Sequence, residues 1–131
     1  MKLYKIITFN KMAADLKLDG LTGKEKYQIL KIFRTFKLTE SEFEDFKKDI
    51  IEKYTNNDEF KSKIEAYNNN DEEAKAWIEN INKEVNEVLA IELNSDKEVE
   101  FDKLSEETFT KIIECNNLKI NEMDALEEIL M

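Results

Sequence analysis

Apolar positions in the first half of the chain predict one long helix. Four of them recur at intervals of seven residues, and three more positions fall three residues later, namely Ile29, Phe36, Phe43 and Ile50, then Ile32, Thr39 and Phe46. This alternation of three and four is the spacing of helix positions that face a partner helix in a coiled coil. We therefore expect a helix over residues 23–54 with a seam along one side.

Two start signals fall on this predicted helix. Thr22 and Glu25 have the spacing of a capping box, in which the side chain of each residue accepts a hydrogen bond from the backbone N–H of the other. Thr39 and Glu42 repeat the same spacing in the middle of the run. A break near Thr39 therefore stays open, although the unbroken heptad register favours a single helix.

A second apolar run predicts the partner of the long helix. Its positions keep one 4-3 pattern, namely Phe60, Ile64, Tyr67, Ala74, Ile78, Ile81, Val85 and Val88. The triplet Asn68-Asn69-Asn70 favours a break, because Asn side chains compete for backbone hydrogen bonds. One helix and two helices both remain open here. Residues 55–57 form a short connection, so the two runs form an antiparallel, coiled-coil-like hairpin over residues 22–91.

The segment before the hairpin, residues 1–21, is predicted to contain one short helix. Thr8 is a candidate N-cap for a helix over residues 9–16, and Gly20 marks the turn that follows. Residues 2–7 fit either a short strand or the start of this helix.

The segment after the hairpin, residues 92–131, is predicted to mix β and α structure. Apolar and polar residues alternate in 91–93 and 99–101 around a polar turn at 94–97, which is typical of a small β-hairpin. Ser105 then begins a helix that runs to about Cys115, and Asn121 caps a last helix over about 122–130. The fold class is thus mainly α, in a single domain of 131 residues.

Charge is segregated along the chain. Residues 1–39 carry a net charge of +6 and residues 40–131 carry −16. Such asymmetry allows the basic end to fold back on the acidic part, or each part to meet a different partner. No aromatic-and-basic module accompanies the basic end, so we do not expect direct nucleic-acid binding. No apolar run approaches the roughly 20 residues that cross a bilayer, so we expect no membrane insertion.

Composition narrows the chemistry. The chain has no His and one Cys, which excludes an internal disulfide, Cys/His zinc sites and His-based acid–base catalysis. Cys115 lies beside Ile112 and Ile113, so we interpret it as a small apolar core residue. Adjacent glutamates such as Glu106 and Glu107 point in different directions on a helix. We therefore expect neither an enzyme nor a bound metal or cofactor.

Three residues beside the seams are the candidate interaction surface: Ile51, Trp77 and Leu89. They widen the apolar stripe beyond what one partner helix covers. Either the terminal segments cover them, or another protein does, which includes a second copy of the chain.

The order of these parts resembles small acidic proteins of unknown function from tailed phages and prophages. The resemblance rests on a short first helix, on residues 24–54 closing in Ile-Ile-Glu-Lys-Tyr, on Lys103-Leu104-Ser105, and on Leu126-Glu127-Glu128-Ile129-Leu130. It implies a non-enzymatic phage accessory or virion-assembly protein that contacts other phage proteins, in the host cytoplasm or the virion.

A different class of function also fits the composition. Twenty-seven acidic residues in 40–131 could imitate nucleic acid and occupy the basic groove of a host DNA- or RNA-binding or defence protein.

Overall fold

The computed structural model describes residues 1–130, which contain six α-helices. They are α1 (Leu3–Ala13), α2 (Gly23–Thr55), α3 (Asp58–Asn68), α4 (Glu72–Leu93), α5 (Glu106–Cys115) and α6 (Ile120–Glu127). The predicted mainly helical fold is confirmed, and the long helix α2 fits the predicted hairpin layout. Helix α2 runs without a break through Thr39, so the heptad register outweighs the second capping signal.

The chain divides into two compact units. The terminal unit consists of Met1–Ser41 together with the chain from Asn94 onward, and the central unit is Glu42–Leu93. Residues from both chain segments of the terminal unit share one core, whereas the central unit is continuous in sequence. Helix α2 contributes its first part to the terminal unit and its last part to the central unit.

The core of the terminal unit forms where α1 packs against α6 and α2. Its fully buried side chains include Ile6, Phe9, Ile32, Phe36, Leu104, Ile112, Leu126 and Ile129. The ring of Phe36 meets Phe9 and Phe101 edge to face, each with centroids 5.2 Å apart. Edge-to-face contacts add to the stabilisation that burial of the rings provides.

Ion pairs inside the terminal unit join its two chain segments. The Lys5 ammonium lies 2.7 Å from a Glu128 carboxylate oxygen and 3.3 Å from one of Asp124. The hydrogen bond to Glu128 is the main reason that the pKa of Lys5 is raised above its usual value. Lys2 pairs with Asp96 at 3.2 Å. The basic N-terminal segment therefore folds back onto acidic residues of the same unit.

The central unit contains the last part of α2 and the packed pair α3 and α4. The Asn57 side chain caps α3 by accepting from the Phe60 N–H at 2.7 Å, and Asp71 accepts from the Ala74 N–H at 3.0 Å. Between these helices Asn70 has a φ of 64°, a left-handed conformation that Asn tolerates better than most residues. The second apolar run is therefore two helices.

Of the two alternatives that the sequence left open for residues 2–7, the start of a helix is correct, and the predicted span 9–16 was too late. Helix α1 starts at Leu3 and ends at Ala13, so residues 2–7 are not a strand. Thr8 is not an N-cap, since its hydroxyl donates to the Tyr4 carbonyl within the helix at 2.8 Å. Burial of Leu3, Ile6 and Phe9 along one side of α1 accounts for the earlier start.

The β-hairpin expected over residues 91–101 does not form. Residues 91–93 are the last turn of α4, and 99–101 are in no strand. The polar turn instead meets the N-terminus of the chain. The Leu3 N–H donates to the Ser95 carbonyl at 3.0 Å, and the Lys97 N–H donates to the Met1 carbonyl at 2.9 Å. These bonds form a single antiparallel bridge between Lys2 and Asp96.

The two C-terminal helices lie close to their predicted positions. Ser105 caps α5 by accepting from the Thr108 N–H at 3.2 Å, and α5 ends at Cys115 as expected. Helix α6 starts before Asn121, because the Glu122 carboxylate accepts from the Lys119 N–H at 3.0 Å and fixes the helix start there.

The fold predicts a large stability difference between two substitutions on α2. Phe36 is fully buried between two other rings, so Phe36→Ala should lower the unfolding free energy by about 3–5 kcal/mol. Leu38 is 70% exposed, so Leu38→Ala should change it by less than about 0.5 kcal/mol. Urea unfolding of dilute protein measures both values. Equal effects would contradict the assignment of the buried side of α2.

Candidate interaction site

The three predicted surface residues do not form one patch. Ile51 is 38% exposed on α2, Trp77 is half-buried on α4, and Leu89 is only 9% exposed. Trp77 and Leu89 are twelve residues apart on one helix, which is about 18 Å along its axis. Ile51 and the open part of Trp77 are therefore the accessible members, and Leu89 belongs to the interior.

Trp77 contacts two side chains of α3. Its ring centroid lies 6.1 Å from that of Phe60, and the Lys63 ammonium lies 5.8 Å from it. Phe60 and Lys63 are three residues apart, so they project from the same side of α3. The sequence pattern placed Phe60 and Trp77 on apolar stripes but did not predict the contact of Lys63 with Trp77. The three-residue spacing of Lys63 from Phe60 could have indicated that both side chains lie on the same side of α3.

The central unit has few buried side chains for its length. Among residues 1–130, thirteen of the buried apolar residues lie in the terminal unit and only four in the central unit: Phe43, Ala74, Val85 and Leu89. Helix α3 contributes none. The unit also carries fifteen acidic and seven basic residues, a net charge of −8. Most of its surface is therefore open to solvent and strongly acidic.

A polar cluster fixes the start of α2 to α5 in the terminal unit. The predicted capping box is present, since Glu25 accepts from the Thr22 N–H at 2.9 Å and Thr22 Oγ1 accepts from the Glu25 N–H at 3.2 Å. The same carboxylate accepts from the Thr108 hydroxyl at 2.5 Å and from Lys111 at 2.9 Å. The sequence predicted the cap and missed both partners on α5.

These bonds shift the acidity of the cluster. The hydrogen bond from Thr108, followed by those from the Thr22 backbone and Lys111, lowers the pKa of Glu25 to about 2. The pKa of Lys111 is raised, mainly by its hydrogen bond to Glu25. Every partner of the carboxylate acts to keep it ionised, so the cluster joins two helices rather than storing a proton.

The single cysteine is half-buried and its thiol is hydrogen-bonded to the backbone. Cys115 Sγ donates to the Asp19 carbonyl at 2.9 Å. Within residues 1–130, no group of three or more acidic or cysteine side chains is arranged to hold a metal ion. Over the same residues, no helix has both the length and the apolar character that spanning a bilayer requires.

Comparisons with protein-family models, with curated proteins and with solved structures found no match to this chain.

The thin packing of the central unit predicts two unfolding transitions. Trp77 is the only tryptophan of the chain, so its fluorescence reports the central unit, whereas far-UV circular dichroism reports all helices. We expect the fluorescence midpoint in urea to lie below the midpoint of the main dichroism transition, because fewer buried side chains stabilise this unit. Val85→Ala should lower the fluorescence midpoint further. Coincident midpoints for both probes would show that the two units unfold together.

The Glu25 cluster predicts a loss of stability in acid. The pKa of Glu25 is about 2 in the folded chain and about 4.3 in an unfolded one. Its contribution is complete above the unfolded value and is lost as the pH falls towards the folded value. Glu25→Gln should therefore flatten the decline of unfolding free energy between about pH 5 and pH 2. Glu107→Gln is the matched control, because Glu107 is exposed and 3.6 Å from the same lysine. An equal flattening in both variants would contradict the assignment.

Proposed function

We propose that this chain is a non-enzymatic binding protein whose central unit makes helix-mediated contacts with a protein partner. The observation that carries the proposal is the thin packing of that unit, with four buried apolar side chains in Glu42–Leu93. Isolated helices are marginal in water and depend on the burial of an apolar face. A partner that covers the partly exposed apolar groups of this unit adds that burial.

The two accessible residues of the three predicted ones indicate where such a partner binds. Ile51 lies on the last part of α2, and the open part of Trp77 lies on α4. A half-buried tryptophan supplies a large contact area with little further loss of side-chain freedom, and tryptophan is frequent among residues that dominate binding energy. The net charge of −8 of the central unit favours a partner whose surface is basic.

The biological setting that we propose is a tailed phage or prophage, and the support for it is the resemblance in layout described above. In that setting the chain acts as an accessory or virion-assembly protein, and its partners are other phage proteins. Mass spectrometry of purified particles and of lysates from induced lysogenic cells tests this setting. Absence of the chain from both samples would contradict it.

Substitution of Ile51 tests the binding surface. In affinity capture from induced cells, Ile51→Asp should reduce the recovery of phage structural proteins at least about tenfold, because it places a charge in an apolar contact. Ile120→Asp is the matched control, since Ile120 is 87% exposed in the terminal unit and its loss should leave recovery unchanged. Equal recovery with all three proteins would exclude Ile51 from the contact.

A second candidate function is supported by the charge of the central unit. Its net charge of −8 over 52 residues suits a nucleic-acid mimic that occupies the basic groove of a host DNA- or RNA-binding or defence protein. Salt distinguishes the two candidates. Inhibition of a nuclease by the chain should fall steeply as salt rises if the chain is a mimic, whereas apolar contacts at Ile51 and at Trp77 should persist in high salt.

A further inference from the structure

The outward side of α2 carries a pattern of charged residues that are not spaced to form ion pairs with one another within the helix. Lys31, Arg34, Leu38, Glu42 and Asp45 follow one another at intervals of three, four, four and three residues. In an α-helix these intervals place all five on one side. We call this set the charged face of α2. All five residues are exposed, and Leu38 is 70% exposed.

The charged face lies away from the buried side of the same helix. Helical periodicity places Ile29, Ile32 and Phe36 roughly opposite to it, and these three side chains are 5% exposed or less. Burial of the inward side therefore leaves the charged face open along an unbroken helix from Gly23 to Thr55.

Pairing within the helix does not explain the pattern. Stabilising pairs on one helix place opposite charges three or four residues apart. Arg34 and Glu42 are eight residues apart, about 12 Å along the axis, with Leu38 between them. The basic residues therefore stand together on one side of Leu38, and the acidic residues stand together on the other. Lys31 has two exposed contacts within the chain: its ammonium lies 4.0 Å from the Asp102 carboxylate and 5.1 Å from the centroid of the Tyr27 ring.

The pattern matches an antiparallel copy of itself. The intervals read the same in both directions from Leu38, while the sign of the charge is inverted. When a second α2 lies antiparallel with the two Leu38 residues level, Lys31 of one chain stands at the height of Asp45 of the other, and Arg34 at the height of Glu42. A twofold axis beside Leu38 produces both sets of contacts at once, as an isologous interface requires.

The pattern continues two turns further in each direction. Lys24 and Glu52 are mirrored positions of opposite charge, Asp49 mirrors the uncharged Tyr27, and all four are exposed. A contact that uses one side of a single helix is narrower than a standard protein interface. The overall charge of −10 adds repulsion between copies, so the dimer that this face forms is weak.

We propose that the charged face of α2 is a self-association surface, on which two copies of the chain pair antiparallel with Leu38 at the twofold axis. The inference goes beyond the proposed function. Ile51 lies on a different side of α2 from the charged face, so the two proposals concern different residues.

Charge reversal tests the pairing. One variant carries Lys31→Glu with Arg34→Glu, which makes the whole face acidic, and the other carries Glu42→Lys with Asp45→Lys, which makes it basic. Sedimentation of each full-length chain at two protein concentrations, in about 0.1 M salt where charges interact over about 10 Å, should show a dimer for the unsubstituted chain. Each variant alone should dimerise at least about tenfold more weakly, because both symmetry-related contacts become repulsive.

Mixing the two variants is the decisive arm. An acidic face and a basic face are complementary, so an equimolar mixture should restore the dimer as a heterodimer. Lys11→Glu with Lys26→Glu is the matched control, since both lysines are exposed and lie off the charged face. It changes the net charge as the first variant does and should dimerise like the unsubstituted chain.

The proposal is overturned if the unsubstituted chain stays monomeric at the higher concentration, if either variant alone dimerises as well as the unsubstituted chain, or if the mixture stays monomeric. Far-UV circular dichroism checks that each variant is folded. Recovery of the dimer in the mixture shows independently that both variants are folded. Loss of the recovery of phage structural proteins with Ile51→Asp does not change the dimerisation that this experiment measures, so the two proposals can fail independently.

Discussion

The packing of α1 against α6 is the contact on which the terminal unit depends. Phe9 on α1 and Leu126 on α6 are both fully buried in its core, although more than a hundred residues separate them in sequence. The hydrophobic effect thus closes a very long loop, and Lys5 with Glu128 fixes its register at the surface. The central unit has no such contact, because its helices are consecutive and bury few side chains.

Local signals predicted the helices that local interactions define. The unbroken helix α2 and the Thr22–Glu25 cap are both present, since each depends on residues that are close in sequence. The start of α1 could not be found in this way. Lys2 makes no capping side-chain bond, and the run Ile6-Ile7-Thr8-Phe9 favours a strand by intrinsic propensity. Helix forms there because α6 covers its apolar side, which is tertiary information.

The candidate surface was harder to predict than the fold. An apolar residue beside a seam looks the same in sequence whether it is buried or open, so Ile51 and Leu89 received the same interpretation, yet the structure buries only Leu89. The hydrogen bonds that Thr108 and Lys111 donate to Glu25 join residues more than eighty positions apart in sequence. No periodic pattern in a sequence predicts a contact between residues so far apart. The spacing of the charged face of α2 could have been found from the sequence. Only the structure shows that all five of its residues are exposed and therefore accessible to a partner.

The discontinuous terminal unit has a consequence for synthesis of the protein on the ribosome. Translation proceeds from the N-terminus at about 5–20 residues per second, so α1 emerges roughly 6–25 s before α6. Throughout that interval the side chains of Leu3, Ile6 and Phe9 lack their buried environment, and all residues of the central unit are made before α6 completes that environment. The apolar side of α1 is therefore without its α6 partner for most of the time during which the chain is made. Transiently exposed apolar surface of this kind favours aggregation before folding is complete.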